Sequence, residues 1–464
     1  MNKNIVKVSL IIGASITMQS CFVAKNYERP NLKAQEKFRS EVIESDTTSI
    51  ATVSWNNVFT DSQLQNYINK GIQYNYDVQI AMQNVASAEA SMKKGKHGYY
   101  PTINATATWT HQETSKNSQF GRLFDRIDQY QLSPVISWEA DIWGKIRSQK
   151  RATQASYLQT LATTKAVQAQ IVSSIASVYY QLLSLDAQLK VTEKTMDNRD
   201  ESIKVAKALK GGGTVNEVGV IQTENQKIAT QIIIEDLKYN IKVLENSLSI
   251  LIGESPSTIE RTTIEDQKIE LDVTTGVPST LLANRPDLIA AEYSLKSTFE
   301  QTNIARSNFY PSFTITATTG FQSLELDKLI SAKSFFANIV TGLTQPILNA
   351  RTVKTNFEIA KANQQKAFLQ YEKTFLEATK EVSDAYASYE NETKKLELRT
   401  QQVESLNKAV EYSDKLLKYG MVNYLEVITA KDNALSAELA LIDNKYKQLN
   451  ALITLYRSLG GGWQ

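Results

Sequence analysis

Four segments of the chain alternate between apolar and polar positions with a period of two, the pattern of strands whose two faces meet different surroundings. Each segment is about ten residues or slightly longer, the length that a tilted strand needs to cross a bilayer. Their polar positions are mostly Ser, Thr, Asn and Gln. The sequence therefore predicts four amphipathic strands, at about residues 101–117, 127–141, 311–323 and 334–347.

Long stretches with helical spacing of apolar and small residues separate these strands. After Gly144 the chain runs to Leu209 without proline or glycine. Roughly 65 residues at about 1.5 Å per residue make a helix near 100 Å long, which is too long for a compact globule. We therefore expect long helices packed side by side, as two hairpins over residues 144–252 and 350–459.

The chain contains the same order of features twice. Pro101 and Pro311 open equivalent strands 210 positions apart (311 − 101), and Gly213 and Gly420 mark equivalent turns 207 positions apart (420 − 213). We interpret this as a duplication. Its predicted divisions are a first repeat (61–254), a connector (255–284), a second repeat (285–459) and a C-terminal tail (460–464).

The N-terminus reads as an export signal over residues 1–20. Lys3 and Lys7 precede or begin an apolar run that is too short to span a bilayer. Cys21, the only cysteine, follows it in a context that resembles the lipobox of bacterial lipoproteins, although Met18 and Gln19 depart from that pattern. We expect an acyl or diacylglycerol lipid on Cys21, with residues 21–60 hanging from it as an extended tail. The alternative is an ordinary signal peptide with an incidental cysteine.

The same alternation would also fit a soluble β-sandwich with one solvent-exposed face. The export signal favours a membrane location for the strands. Open sheet edges are not tolerated in lipid, so the strands must close into a barrel. Small membrane barrels use about eight strands, whereas this chain supplies four. Two copies would give a barrel filled by side chains and three would leave a lumen, so we favour a trimer.

Composition argues against several other classes of protein. With 51 basic and 49 acidic residues, nothing favours nucleic acid as a partner. A single cysteine excludes an intrachain disulfide, and the two histidines, His97 and His111, lie in unrelated contexts. Glu139 and Asp141 could be paired carboxylates of an enzyme, but a structural pair at a strand end is the simpler interpretation. We therefore expect no enzymatic activity and no metal site.

Several motifs together resemble the TolC-like outer-membrane factors, specifically the lipoprotein branch that serves RND-type efflux pumps. The motifs cover nearly the whole mature chain: Trp138-Glu139-Ala140-Asp141-Ile142-Trp143-Gly144-Lys145-Ile146-Arg147, Arg285-Pro286-Asp287-Leu288-Ile289-Ala290-Ala291-Glu292, Asn308-Phe309-Tyr310-Pro311-Ser312 and Leu459-Gly460-Gly461-Gly462-Trp463. The resemblance implies a mainly α fold with a membrane β-barrel. Three chains would form a 12-stranded outer-membrane barrel that continues into a 12-helix periplasmic barrel.

The resemblance also implies a constriction just after the second glycine turn. Alignment on Gly420 places a hydrophobic ring at Leu425 and the acidic rings at Glu426 and Thr429. The chain departs from the family at Thr429, which is not acidic, and at Asp432, where a basic residue is expected. Leu425 could instead be ordinary helix-packing core, and Glu426 a solvated helix face.

The two turns are the implied docking points for a periplasmic adaptor. The residues concerned are Gly213, Thr214, Val215, Gly420, Val422 and Asn423. Glycine at a helix end also has a purely conformational explanation, because it adopts the left-handed region readily.

The function implied is a passive exit duct for drugs or other small toxic solutes, fed by an inner-membrane RND-type transporter through the adaptor. Two alternatives remain open at this point, a type I protein-secretion duct and a non-conducting coiled-coil protein of the envelope. Terminal Gly-Gly-Gly-Trp and the lipoprotein features disfavour secretion. No methionine cluster indicates copper or silver export, so the substrate is not assigned.

Overall fold

A computed structural model describes residues 23–30, 53–117, 119, 126–267, 269 and 284–463, and these divide into two compact units. Of these described residues, those within 1–31, 85–160 and 291–371 form the sheet unit, and those within 32–84, 161–290 and 372–464 form the helix unit. Cys21 and the predicted signal lie outside the described residues. None of the described helices combines the length and the apolar character needed to cross a membrane.

The described elements are eight α-helices, four strands and two short 3₁₀ turns. The helices are α1 (Trp55–Val58), α2 (Ser62–Tyr74), α3 (Tyr76–His97), α4 (Lys145–Gly211), α5 (Glu217–Leu251), α6 (Pro286–Ser307), α7 (Thr352–Lys418) and α8 (Tyr424–Ser458). The strands are β1 (Thr102–Glu113), β2 (Arg126–Ala140), β3 (Ser312–Ser323) and β4 (Phe335–Thr344), with the 3₁₀ turns Leu326–Lys328 and Ala332–Ser334 between β3 and β4.

From α3 to α5 and from α6 to α8, the described helices and strands of the two halves match one for one. Helices α4 and α7 are 67 residues each, and α5 and α8 are 35 residues each. Strands β1 and β3 start 210 positions apart (312 − 102), whereas α4 and α7 start 207 positions apart (352 − 145). The difference of three residues therefore falls between the first strand of each hairpin and the long helix, and the helices themselves keep identical lengths.

The strands form one antiparallel sheet in the order β1-β2-β3-β4. Pro134 lies in β2 opposite Ala105 of β1 and has no N–H to donate, and the pairing of β2 with β3 skips Ser133 and Pro134. Gly320 of β3 has φ +148, and a Cβ there would lie 2.2 Å from the carbonyl oxygen of Leu132. The close approach of the two backbones at this point therefore requires glycine.

The two outer strands are solvent-facing throughout most of their length. Every residue of β1 is exposed, including Ile103 and Trp109, and β4 exposes Ile339 and Leu343. Within the described residues, β1 and β4 each have one neighbouring strand, so their outer edges carry unpaired backbone groups. A single chain thus presents two open sheet edges and an uncovered apolar face. Strand β4 ends at Thr344, three residues before the predicted end at residue 347. Pro346, which has no N–H to donate, lies two residues beyond this end.

The helix unit has a core of aromatic and aliphatic side chains. Tyr179 and Tyr180 of α4 are fully buried with Leu64 and Ile68 of α2 and Tyr456 of α8. Asp61 caps α2, because its carboxylate accepts hydrogen bonds from the amides of Gln63 at 2.8 Å and Leu64 at 3.3 Å.

The C-terminus is packed into this unit. Gly460, Gly461 and Gly462 are buried, and Lys165 lies 3.8 Å above the Trp463 ring. A Cβ on Gly461 would come within 2.3–2.6 Å of the Tyr456 ring atoms. Close packing against Tyr456 therefore requires glycine at position 461.

Residues 23–30, which we call the strap, are docked on the sheet unit, contrary to the expectation that this tail hangs free. The Asn303 side chain exchanges two hydrogen bonds with the Lys25 backbone, at 3.2 and 2.9 Å, and Arg306 donates to the Val23 carbonyl at 3.2 Å. Tyr27 packs edge-on against Phe299. The strap is extended, as predicted, but it is fixed along α6.

Candidate functional site

The two glycine turns have the same backbone geometry. The Thr214 amide donates to the Leu209 carbonyl at 3.0 Å, and 207 positions later the Met421 amide donates to the Leu416 carbonyl at 3.0 Å. Gly213 and Gly420 have φ of +78 and +68, and each lies in open space. These bonds close the last turn of each long helix, and the positive φ favours glycine at both positions.

An asparagine starts the return helix at each turn. The Asn216 side chain accepts from the Gly219 amide at 3.1 Å, and the Asn423 side chain accepts from the Glu426 amide at 3.0 Å. Asn423, predicted to be an adaptor contact, therefore has a capping role that is sufficient to explain it. Asn423 itself is exposed, whereas the next residue, Tyr424, is buried.

A small apolar cluster joins the two hairpins beside their turns. Val215, one of the predicted docking residues, is only 9 % exposed and packs with Ala206, Val220, Tyr424 and Ile428. The Tyr424 hydroxyl donates to the Ser202 carbonyl at 2.7 Å. Val215 consequently belongs to the packing between hairpins, and the exposed tip consists of Gly213, Thr214, Gly420 and Met421, with Val422 partly buried.

The three predicted gate residues are all exposed in the single chain. Leu425 is 52 % exposed, and Glu426 lies one position further along the first turn of α8. The Thr429 hydroxyl donates to the Leu425 carbonyl at 2.9 Å, so it bonds within its own helix. Leu425 and Thr429, four residues apart, share one helix face. The reading of Leu425 as core of the single chain does not fit this exposure.

Asp432 joins the two hairpins through charge. Its carboxylate accepts from the Arg199 guanidinium of α4 and from the Gln226 amide of α5, and Arg199 also donates to the Gln226 side chain at 2.8 Å. The Arg199 side chain is only 4 % exposed. A buried cation needs a partner, so Asp432 balances a charge that the first hairpin places inside the packing.

Sequence reasoning did not find Arg199 or Gln226. The available signal was Asp432 itself, which replaces the basic residue expected from the family. Since an acidic residue takes that place, a basic partner elsewhere was foreseeable, but its position on a helix 233 residues away was not.

Glu139 and Asp141, considered above as paired carboxylates, both have structural partners. Glu139 accepts from Lys145 at 3.0 and 3.2 Å. Asp141 accepts from the amides of Ile146 at 2.8 Å and Arg147 at 2.9 Å, and thereby caps α4. Over the part of the chain that is described, no cluster of three or more His, Cys, Asp or Glu side chains could hold a metal ion.

Known proteins are similar to this chain along nearly its full length. CusC, a cation efflux system protein of Escherichia coli O6:H1, is 25 % identical over 97 % of both chains. SrpC, a solvent efflux pump outer membrane protein of Pseudomonas putida, is 27 % identical over 98 % of both chains. A crystal structure of CusC matches with a TM-score of 0.85 at 25 % identity, covering 95 % of this chain and 99 % of that one.

The family match covers both repeats. The family described as outer membrane efflux protein matches residues 67–254 and 277–461, which include the four strands, the four long helices and both glycine turns. With this match and the fold in agreement, the chain belongs to the outer membrane efflux protein family.

Proposed function

We propose that this chain is the exit duct of a tripartite efflux pump, in which it passively conducts small toxic solutes across the outer membrane. The observation that carries the proposal is the four-stranded sheet with two open edges, in a chain of the outer membrane efflux family. The duct makes or breaks no bond, and the energy for export comes from an inner-membrane transporter of the RND type.

Three copies would close the barrel by pairing β4 of each chain with β1 of the next. Both edge strands carry unpaired backbone groups, and in lipid these must find partners. Three four-stranded sheets supply twelve strands, which leave a lumen wider than an eight-stranded barrel has. The exposed apolar residues on β1 and β4, such as Trp109 and Ile339, would then face lipid.

The narrow point of the duct would lie at the turns. Three Leu425 side chains around one axis would exclude water, and three Glu426 carboxylates would repel one another and attract cations. The exposure of Leu425 and Glu426 in the single chain supports this role, because neither is used in packing within its own hairpins. The exposed tips at Gly213–Thr214 and Gly420–Met421 would receive the periplasmic adaptor.

The lipid on Cys21 is the remaining part of the proposal. The strap brings residue 23 to Arg306, close to where β3 begins, so a lipid two residues earlier would lie at the end of the strands. Replacement of Cys21 by serine, followed by mass spectrometry of the mature chain, tests whether the cysteine carries acyl groups.

The substrate class stays broad, as small toxic solutes. CusC is named for cations and SrpC for solvents, and both are about equally similar to this chain. Selectivity in such a system would therefore lie in the transporter. Accumulation of dyes, solvents and metal ions in a deletion strain, measured against a complemented strain, would narrow the class.

Conductance in a planar bilayer tests the duct itself. The purified protein should be a trimer with low conductance, and Leu425→Ala with Glu426→Ala should raise the conductance severalfold. A matched control is Leu398→Ala with Glu397→Ala on α7, since these residues are also exposed but lie far from the turns. A monodisperse trimer that shows no conductance even after the gate substitutions would contradict the proposal.

A further inference from the structure

The segment that follows β4 carries the two most exposed large apolar side chains of the described residues. Ile347 is 92 % exposed and Leu348 is 96 % exposed. They lie between Thr344, the end of β4, and Thr352, the start of α7, in a segment that we call the second junction (residues 345–351). Adjacent apolar side chains this open to solvent are unfavourable unless another surface covers them.

The backbone of the second junction is strained at two consecutive residues. Ala350 has φ +50 and Arg351 has φ +65, and they are the only residues other than glycine with positive φ in the described part of the chain. The left-handed region is costly for residues that carry a Cβ. Such conformations persist where surrounding structure holds them.

The corresponding segment of the first repeat, residues 141–144 between β2 and α4, makes its stabilising contacts within its own chain. Asp141 caps α4 at 2.8 and 2.9 Å, and Trp143 donates to the Pro311 carbonyl at 2.8 Å and stacks on Tyr310 with ring centroids 4.8 Å apart. Its positive φ falls on Gly144, where glycine adopts it without strain.

The second junction lacks each of these features at the equivalent positions. Leu348 stands where Asp141 caps (348 − 141 = 207), and Arg351 stands where Gly144 turns (351 − 144 = 207). The Arg351 side chain pairs with Glu358 on its own helix at 3.1 Å, and leaves Ile347 and Leu348 uncovered. The junction between strand and helix is therefore capped and packed by residues of its own chain in the first repeat, whereas in the second repeat its apolar side chains stay exposed.

The topology of the sheet indicates what covers the second junction. Thr344 of β4 pairs with Ser312 at the start of β3, and Thr102 at the start of β1 pairs with Ser137 near the end of β2. The end of β4 and the start of β1 therefore lie at the same end of the sheet, on its two outer edges. Exposed apolar side chains stand at the start of β1 as well, namely Tyr99, Tyr100 and Ile103.

We propose that Ile347 and Leu348 dock on the residues at the start of β1 in a neighbouring copy of this chain, Tyr99, Tyr100 and Ile103, and that this contact holds the strained second junction. The contact continues the β4-to-β1 pairing at the level where the strands give way to helices. It rests on the proposed trimeric barrel, and adds to it a seal formed by side chains just beyond the last backbone hydrogen bond.

Cross-linking tests the contact directly. Leu348→Cys is combined in turn with Tyr99→Cys, Tyr100→Cys and Ile103→Cys, and the membrane-embedded protein is treated with a short thiol-specific cross-linker. At least one pair should give covalently linked dimers and trimers on denaturing gels, and none of the single-cysteine variants should. Ile330→Cys, 78 % exposed in the loop at the opposite end of the sheet, is the matched control and should not cross-link with the same partners.

A second measurement covers the case in which cysteine geometry prevents the reaction. Leu348→Asp should shift the trimer toward dissociation in mild detergent by roughly tenfold or more, because it removes a buried aliphatic side chain from the contact. Ile330→Asp should leave dissociation unchanged. If the wild type is trimeric but no pair cross-links and Leu348→Asp has no effect on dissociation, the proposed contact is overturned while the proposed function stands. Absence of a trimer in the wild type would overturn the proposed function with it.

Discussion

The guanidinium of Arg199, on α4, donates to the carboxylate of Asp432, on α8, and so ties the first helical hairpin to the second within one chain. Gln226 of α5 completes the group, which brings three of the four long helices together near their turns. Any movement that separates the hairpins at this level must break these bonds. The proposed gate residue Leu425 lies two helical turns from Asp432, so the ion pair is placed to hold the gate region in its packed state.

Removal of this carboxylate should loosen the turn end of the hairpins. Asp432→Asn leaves the buried Arg199 without a counter-charge, and we expect a loss of about 1–3 kcal/mol in stability together with higher basal conductance. Denaturant unfolding and planar-bilayer recording measure the two effects. Asp414→Asn, which breaks the more exposed pair with Lys431, should change stability by about 0–1 kcal/mol and serves as the control. The exchange Arg199→Asp with Asp432→Arg should recover part of the loss, and equal effects of the two single Asn variants would contradict the assignment.

An acidic residue at position 429 should alter ion selectivity. Thr429→Asp would add three carboxylates around the proposed constriction, so the reversal potential in a salt gradient should shift toward greater cation preference, and divalent cations should block more strongly. Thr400→Asp is a matched control, because the Thr400 hydroxyl also bonds to the carbonyl four residues earlier, at 2.8 Å, and is exposed on α7. Identical shifts from both variants would show that general surface charge, and not the constriction, sets selectivity.

Gly461 and Gly211 should tolerate substitution by alanine very unequally. Gly461→Ala places a Cβ within 2.3–2.6 Å of the Tyr456 ring, so we expect a loss of about 1–3 kcal/mol from overpacking. Gly211→Ala meets no atom within 4 Å at the end of α4, and should be neutral or stabilising by up to about 1 kcal/mol. The urea unfolding midpoints of the two variants, compared with that of the wild type, measure these changes in stability. If Gly461→Ala matched the wild type, the packing of the C-terminus would not be required for stability.

Acid should destabilise the helix unit partly through Asp61. Burial acts to raise the pKa of this carboxyl, but hydrogen bonds from Thr262, Tyr179 and the Leu64 and Gln63 amides outweigh it, and the pKa lies below its ordinary value of 3.8. Because the folded-state pKa is lowered, the contribution to stability is fully present above the unfolded value and is lost as pH falls through the folded one.

The predicted consequence is a stability profile that drops below about pH 4 in the wild type. Asp61→Asn should be less stable than the wild type at neutral pH and should lack this part of the acid-induced drop. Unfolding midpoints between pH 7 and pH 3 measure it, with Asp384→Asn as a control for loss of a surface carboxylate paired with Lys380. If the unfolding midpoints of the wild type and of Asp61→Asn fell in parallel with pH, protonation of Asp61 would not contribute to the acid-induced loss of stability.

Much of the fold could be predicted from local pattern. Strands β1 and β3 follow from strict alternation, and the ends of α4 and α7 follow from Gly213 and Gly420, because each signal depends only on neighbouring residues. The pairing of Arg199 with Asp432 could not be predicted in this way, since it depends on the rotation of two long helices over tens of residues. Burial of Val215 and docking of the strap on Asn303 were missed for the same reason. Both depend on surfaces that form only when distant segments pack.

Equal helix lengths in the two repeats restrict how this chain can vary in length. One residue added inside α4 would rotate everything beyond it by about 100°, and would put the hairpin out of phase with its counterpart in the second repeat. The loops between paired strands need not keep a fixed length relative to the other repeat. The three-residue difference between the repeats already lies between the start of the first strand and the start of the long helix. Insertions and deletions among descendants of this sequence are therefore expected to accumulate in the strand hairpins and to be rare in the four long helices.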